Sequence, residues 1–252
     1  MHKLGKISII TVCYNCQNSI VDTIESVLNQ TCVVDIEYII IDGKSTDSTI
    51  NIIKSYEKVF IDKNIVYKWY SELDKGIYDA MNKGIKLASG QWLNFMNSGD
   101  TFVDNNVLSN IFKFNYNNLN IVYGDKLYNN KIIKSHPIKF LQYGIIMACH
   151  QSMFFNKFNL KEELSYNLHY PIYGDYELVA KIHLLNPNKI KYINFPISIY
   201  LGGGISSFVS KQKRKDKFKI LFKYYGILGV LKGISVAIIE KLTKRYNLKG
   251  EN

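Results

Sequence analysis

The sequence predicts an α/β fold with a mostly parallel central sheet flanked by helices. Three observations carry this expectation. Short runs rich in β-branched residues alternate with longer segments of helical period from Lys6 to Met96. The strand-like runs end on Asn, Asp or Gly turns, and a strand and helix alternation of this kind is most simply closed by right-handed crossovers into a parallel sheet. At 252 residues, with 47% hydrophobic and 21% charged content, the chain can bury one substantial core, and disorder is excluded as the default.

Lys6 to Tyr14 (KISIITVCY) suits a buried strand, followed by a turn at Asn15 to Asn18 and a helix over Ser19 to Gln30. Ile36 to Ile41 is a second apolar strand ending at Asp42-Gly43, and Asp47 to Val59 a second helix that Ser45, Thr46 or Asp47 can cap. Ile65 to Ser71 reads as a third strand. In the stretch Ser71 to Asp100, Ile77, Ala80, Met81, Gly84, Ile85 and Ala88 share one helical face, Ser89-Gly90 ends the helix, and Gln91 to Met96 is a short apolar strand. Asp100 then lies just beyond a strand's carboxyl end, where open α/β sheets bind ligands; capping the next helix is its bland alternative. The second half is mixed. Val107 to Phe114 and Tyr173 to Leu185 read as helices, and Ile121 to Tyr123, Lys131 to Ser135, Gln151 to Phe155 and Lys189 to Tyr200 as strands.

Charge is uneven along the chain. From Ser207 to Asn252 there are twelve Lys and Arg against three carboxylates, so the tail holds +9 of the net +11. A near-neutral body with a cationic appendage points to docking on an anionic surface. Four cysteines lack the density and spacing of a secreted disulfide framework, and Cys13-x-x-Cys16 has no second pair to complete a zinc site. The N-terminal apolar run continues into fold-like sequence with no small-residue cleavage site, so a cytoplasmic body is expected.

The motifs SIITVCYN, IIIDGKSTDST, GIYDAMNKG, WLNFMNSGD and YGDYEL, in this order, resemble the family 2 glycosyltransferases of GT-A (Rossmann-like) fold. The resemblance runs from about Lys6 to Ser207. It implies an inverting, non-processive enzyme of bacterial surface polysaccharide type, a hexosyl- or N-acetylhexosaminyltransferase moving a sugar from a nucleotide diphosphate donor to a hydroxyl. The Gln-x-x-Arg-Trp signature of processive synthases is absent from the sequence. It further implies that Thr11, Tyr14 and Asn15 lie on the loop that receives the donor nucleotide, that Asp42 accepts a hydrogen bond from the base, and that Asp74, Lys75 and Asn97 line the same pocket. Asn97-Ser98-Gly99-Asp100 stands where the family shows an Asp-x-Asp signature, leaving Asp100 as the direct ligand of a Mn or Mg ion bridging the diphosphate. Asp175, in Gly174-Asp175-Tyr176-Glu177, falls where the family places its general base; its alternative is an N-cap. His150 and Gln151 would open a strand on the acceptor or diphosphate side. Gly202 to Ser206 suits a loop folding over bound donor.

Phe218, Leu221, Phe222, Tyr225 and Leu228 recur at helical spacing among many lysines, the pattern of a cationic amphipathic helix. The apolar run Tyr224 to Ile239 spans only about 24 Å as helix against a bilayer core of about 30 Å, which favours lying in the interface. A helix packed on the body or on a second subunit, as in a homo-oligomer, is the alternative. The expected partition is a catalytic domain over 1–206 and a basic amphipathic extension over 207–252. The expected partners are a nucleotide sugar, UDP-sugar favoured, a lipid-linked or free saccharide acceptor, and the anionic inner face of the cell membrane, with no nucleic acid. A sugar nucleotidyltransferase is the rival enzyme, but SIITVCYNCQNS lacks the Gly-rich phosphate loop such enzymes open with. A non-catalytic membrane or nucleic-acid binding module is the rival outside enzymes.

Overall fold

The computed structural model describes residues 5–31, 34–202 and 211–247. The chain runs β1 (Ile7–Cys13), α1 (Ile20–Leu28), β2 (Ile36–Asp42), α2 (Thr49–Ser55), α3 (Glu57–Asp62), β3 (Val66–Ser71), α4 (Ile77–Leu87), β4 (Trp92–Phe95), β5 (Thr101–Phe102) and α5 (Val107–Phe112). It continues with β6 (Ile121–Tyr128), β7 (Lys131–Ile133), β8 (Met153–Asn156), α6 (Lys157–Leu160), α7 (Gly174–Leu185), β9 (Ile190–Ile199) and α8 (Lys211–Asn247). Strand order is β3-β2-β1-β4-β8-β6-β9-β5, with β7 hairpinned onto β6. The β3-β2-β1-β4 half is parallel, as is β6 with β9, while β8 runs antiparallel between β4 and β6. This is the mostly parallel α/β sheet that the sequence predicts.

Alternation along β1 and β2 divides the core into two layers. Ile10, Val12, Ile39 and Ile41 face α4 and α7, whereas Ile7, Ile9, Tyr38 and Ile40 face α1, α3 and α5. Every residue of both strands is buried, which explains their continuous apolar reading. α4 approaches β1 closely because Gly84 has no side chain; a Cβ there would come within 2.5 Å of Ile10. The buried Glu37 stitches one edge of the sheet, accepting hydrogen bonds from Lys68 Nζ at 2.8 Å, from Ser8 Oγ and from the backbone and hydroxyl of Ser89. Burial alone would raise its pKa, but these donors outweigh it and hold the carboxyl down at about 2.

Three elements differ from expectation. The helix expected over Asp47 to Val59 is two, α2 and α3, joined at Tyr56, whose N–H bonds back to Ile53 O in a tightened turn. Gln151 does not open a strand: His150–Ser152 forms a 3-10 turn, and β8 starts at Met153. The C-terminal extension is not a separate appendage over its first half. α8 breaks at Gly226 (φ 62, ψ −160), a conformation that suits glycine. Before the break Ile220 and Leu221 are fully buried and join the core layer of α4 and α7, and Lys223 Nζ pairs with Glu177 at 3.0 Å. After it, Gly229 and Gly233 lie against Tyr225 and Leu221, while Ile227, Leu228, Leu231, Ile234, Ile238 and Leu242 are exposed on the outer face. Gln212–Thr243 is long and apolar enough to cross a membrane by length and composition. Gly203 to Ser206 of the expected glycine-rich loop lie outside the described residues.

Candidate active site

The carboxyl ends of β1, β2 and β4 open onto a cleft of about 760 Å³, lined by Tyr14, Asp74, Asn97, Asp100, His150 and Asp175 among others. The Asn97 to Asp100 turn is a compact hairpin of backbone: Asp100 N–H donates to Asn97 O at 2.9 Å, and Gly99 takes φ 97. Thr23 on α1 clamps it, accepting from Gly99 N–H and donating to Asp100 O, both at 2.9 Å. Asp100 is therefore held at a fixed depth. Its carboxylate accepts from the Gln151 amide and from Leu201 N–H at 3.3 Å. Burial raises its pKa above the ordinary carboxylate value, against the hydrogen bond from Gln151.

On the opposite wall α7 begins at Gly174, where a Cβ would strike the Tyr78 ring at 2.6 Å. The bare glycine lets the helix seat on Tyr78, whose hydroxyl accepts from Asp175 N–H at 3.3 Å and donates to Ile172 O at 3.2 Å. Asp175 sits in the first turn, but its side chain makes no capping bond; Tyr173 occupies the cap position. Instead Asp175 Oδ2 lies 2.9 Å from His150 Nδ1, and His150 Nε2 lies 2.7 Å from the Asn97 amide nitrogen. Burial disfavours the imidazolium, but the carboxylate of Asp175, with Asp100 behind it, prevails and raises the His150 pKa. Asp175 Oδ1, Asn97 Oδ1 and Gln151 Oε1 are buried with no protein partner, leaving three acceptor atoms unused among the residues of this cleft.

A second cleft of about 550 Å³ lies on the far side of the same wall, between β6, the end of β7, the segment 144–152 and the start of α8. His150, Gln151, Ile172, Asp175 and Tyr200 line both clefts. Asp175 thus stands between two spaces.

Of the residues expected at the donor, Tyr14, Asp74 and Asn97 line the first cleft. Thr11, Asn15, Asp42 and Lys75 do not. Thr11 has the β1 parity that faces α1, and its hydroxyl is bound to Met96 O and Tyr38. Asn15 pins the neighbouring loop by accepting from Thr46 N–H at 2.8 Å. Asp42 is fully buried, and its oxygens already accept from the Ser45 backbone and hydroxyl and from Ser71 Oγ. A base contact through that carboxylate has no free geometry here, and the Asp-Gly turn role prevails. Lys75 is exposed on the rim. Sequence reasoning missed Tyr78, Tyr200 and Leu201; the GIYDAMNKG motif contained Tyr78, but only Ile77, Ala80, Met81, Gly84, Ile85 and Ala88 were read from its helical period.

No three His, Cys, Asp or Glu side chains converge on one point among the described residues. The donor set nonetheless fits a hard cation that arrives with its substrate. Asp100 and the partnerless amide oxygens of Asn97 and Gln151 are all hard oxygen ligands, and Mg and Mn accept one or two carboxylates with phosphates completing the shell. The cleft also contains Asp74, Asp100 and Asp175 and no Lys or Arg among its described lining residues, so a diphosphate bound there requires a counter-charge.

The sheet and the two clefts meeting at one carboxylate define a glycosyltransferase of the GT-A fold. The chain belongs to glycosyl transferase family 2, whose profile matches residues 8–168. It is 27% identical over 196 residues to the PGL/p-HBAD biosynthesis glycosyltransferase of Mycobacterium bovis, covering 75% of each chain. It is 40% identical over 94 residues to the putative teichuronic acid biosynthesis glycosyltransferase TuaG of Bacillus subtilis, over 37% of this chain and 36% of that one. Among solved structures, S. aureus TarS 1–349 in complex with UDP superposes with TM-score 0.68 at 16% identity over 86% of this chain. The chain spans 64% of that TarS fragment. The mannosyltransferase PcManGT of Pyrobaculum calidifontis, in complex with GDP-Man and Mn2+, superposes with TM-score 0.61 at 13% identity, covering 92% of this chain and 73% of that one. Family membership decides against the sugar nucleotidyltransferase reading.

Proposed function

We propose that this glycosyltransferase moves a hexosyl or N-acetylhexosaminyl group from a nucleotide diphosphate donor to a hydroxyl of a lipid-linked saccharide during cell-surface glycan assembly, with inversion at the anomeric carbon. The observation that carries the proposal is the position of Asp175 on the wall shared by the two clefts. The donor lies in the cleft of Tyr14, Asp74, Asn97 and Asp100; the acceptor enters from the α8 side. Asp175 takes the proton from the acceptor hydroxyl as that oxygen bonds to the anomeric carbon and the bond to the nucleotide diphosphate breaks on the opposite face. No glycosyl-enzyme intermediate is needed, so one carboxylate suffices. The His150 bond orients the Asp175 carboxylate on the wall that both clefts share.

Asp100, Asn97 and Gln151 are the residues that would hold a Mn or Mg ion, which supplies positive charge against the departing diphosphate. A uridine donor is favoured by the UDP complex of TarS, and the surface-glycan context by the PGL/p-HBAD and teichuronic acid biosynthesis roles of the mycobacterial and Bacillus relatives. The outward apolar stripe beyond Gly226, with the tail's cationic excess, supports a peripheral seat on the inner leaflet. Incubating the full chain with UDP-, GDP- and dTDP-sugars, with and without Mn, tests the reading. One donor should raise the melting temperature and release its nucleoside diphosphate slowly in Mn; no stabilisation and no release from any of them would refute it.

A further inference from the structure

We infer that the second cleft seats a phosphate or diphosphate group carried by the acceptor, so that the enzyme recognises its acceptor by charge as well as by the sugar hydroxyl. This rests on Asp175 acting between donor and acceptor, and it names the chemistry of the acceptor side. The two clefts, separated by one wall, are electrostatic opposites. Against the three carboxylates of the donor cleft, the second has Lys126, Lys134, Lys213 and Lys217 on its lining, with Asp175 its lone carboxylate among the described residues.

The lysines arrive from three independent elements. Lys126 projects from β6, its Nζ 4.5 Å from the centre of the Tyr200 ring, and Lys213 and Lys217 come from the first turns of α8. Lys134 is partly neutralised, since its Nζ donates to Asp125 at 2.8 Å and to Asn194 at 2.6 Å. His136 adds a further nitrogen. Ammonium groups are point-charge ligands for phosphate, and several on one cleft lining favour an anion there.

The rest of the lining is apolar. Ile145, Ile146, Met147 and Ala148 form one wall and Ile172 another, a surface for hydrocarbon or the apolar face of a sugar but not for a free inorganic ion. The segment that brings Lys213 and Lys217 to this cleft leads, through the break at Gly226, directly into the exposed stripe of Ile227, Leu231, Ile234 and Ile238. Cationic cleft and apolar face are therefore joined by a single turn of chain. An amphiphile whose anionic head enters the cleft while its chain stays near that face satisfies both.

The test is binding of decyl diphosphate to the full chain in EDTA, where a diphosphate in the acidic donor cleft lacks its counter-cation. The wild-type protein should bind it, and inorganic diphosphate should bind at least about tenfold more weakly because it cannot use the apolar wall. Equal affinity for the two would mean that the phosphate is recognised without a lipid, which overturns the lipid source. Decyl maltoside, the neutral control, should not compete. Lys213→Gln with Lys217→Gln should weaken decyl diphosphate binding at least about tenfold, and Lys126→Gln, on a different element, should weaken it too. If the α8 variant misfolds, Lys126→Gln alone decides. Affinity unchanged in all of these variants, or lost instead in Asp74→Ala, would overturn the assignment. Loss of sugar-nucleotide binding by the wild type in Mn would instead sink the donor reading and leave this measurement intact.

Discussion

His150 Nδ1 lies 2.9 Å from Asp175 Oδ2, and the other ring nitrogen lies 2.7 Å from the amide of Asn97 in the carboxylate-bearing turn. The imidazole therefore joins the two catalytic walls through hydrogen bonds at both ends. In its neutral form it accepts from Asn97 and donates to Asp175, which keeps Asp175 oriented yet basic. As imidazolium it keeps the bond to Asp175 and loses the one from Asn97, whose facing atom is an amide nitrogen and cannot accept.

The pH dependence follows from the raised His150 pKa. Its folded-state value lies above 6.5, so the imidazolium pair is complete below pH 6.5 and is lost as pH rises through that higher value. Turnover should rise across the same window as His150 loses its proton. In His150→Gln this step should vanish from the profile of kcat/KM. An NMR titration placing the imidazole below 6.5 in the wild type would contradict the assignment.

Asp100→Ala should weaken Mn and sugar-nucleotide binding together, each by about 10- to 100-fold, because Asp100 is the one carboxylate among the three residues that would hold the cation. Calorimetry with Mn alone and with UDP in Mn measures both. Unchanged affinities would remove Asp100 from the metal site.

For the membrane, the structure changes which variant is informative. Cutting the chain after Ser207 would remove Ile220 and Leu221 from the core, so it should lower the melting temperature rather than test docking. Leu231→Glu with Ile238→Glu alters only the outward face. It should keep the melting temperature and abolish sedimentation with phosphatidylglycerol vesicles; unchanged sedimentation would sink the inner-leaflet seat.

Glu37 bears on stability, away from the cleft. Its pKa is held down at about 2, so its contribution is complete above the ordinary value of 4.5 and disappears as pH falls towards 2. Glu37→Gln should cost about 2–3 kcal/mol at pH 7 in denaturant unfolding and flatten the acid limb of the stability profile. Wild-type stability at pH 7 would show that the network is dispensable.

Much of the fold was legible because β1, β2 and β4 are continuous apolar runs ended by Asn, Asp and Gly, and α4 has a clear helical face. Among the residues proposed for the site, Tyr14, Asp74, Asn97 and Asp100 stand just beyond strand ends, whereas Asp175, in the first turn of α7, was reached only through the YGDYEL motif. Thr11 and Asp42 lie within strands, where a one-residue change of parity exchanges cleft for core, and no periodicity tells whether a strand-end carboxylate is already saturated by Ser45 and Ser71. The second cleft was not legible at all. Lys217 is distant in sequence from Lys126 and Lys134, which the β6–β7 hairpin holds together, and meets them only because α8 folds back on the body. The tail's helical stripe was read as one amphipathic face, but Gly226 splits it, sending Leu221 inward and Leu228 outward.

The central claim is that Asp175 is the base between donor and acceptor, and Asp175→Asn tests it most directly. Single-turnover transfer with the identified donor should fall by about 100- to 10,000-fold while donor affinity stays within a few-fold of wild type. Transfer at the wild-type rate would contradict the account.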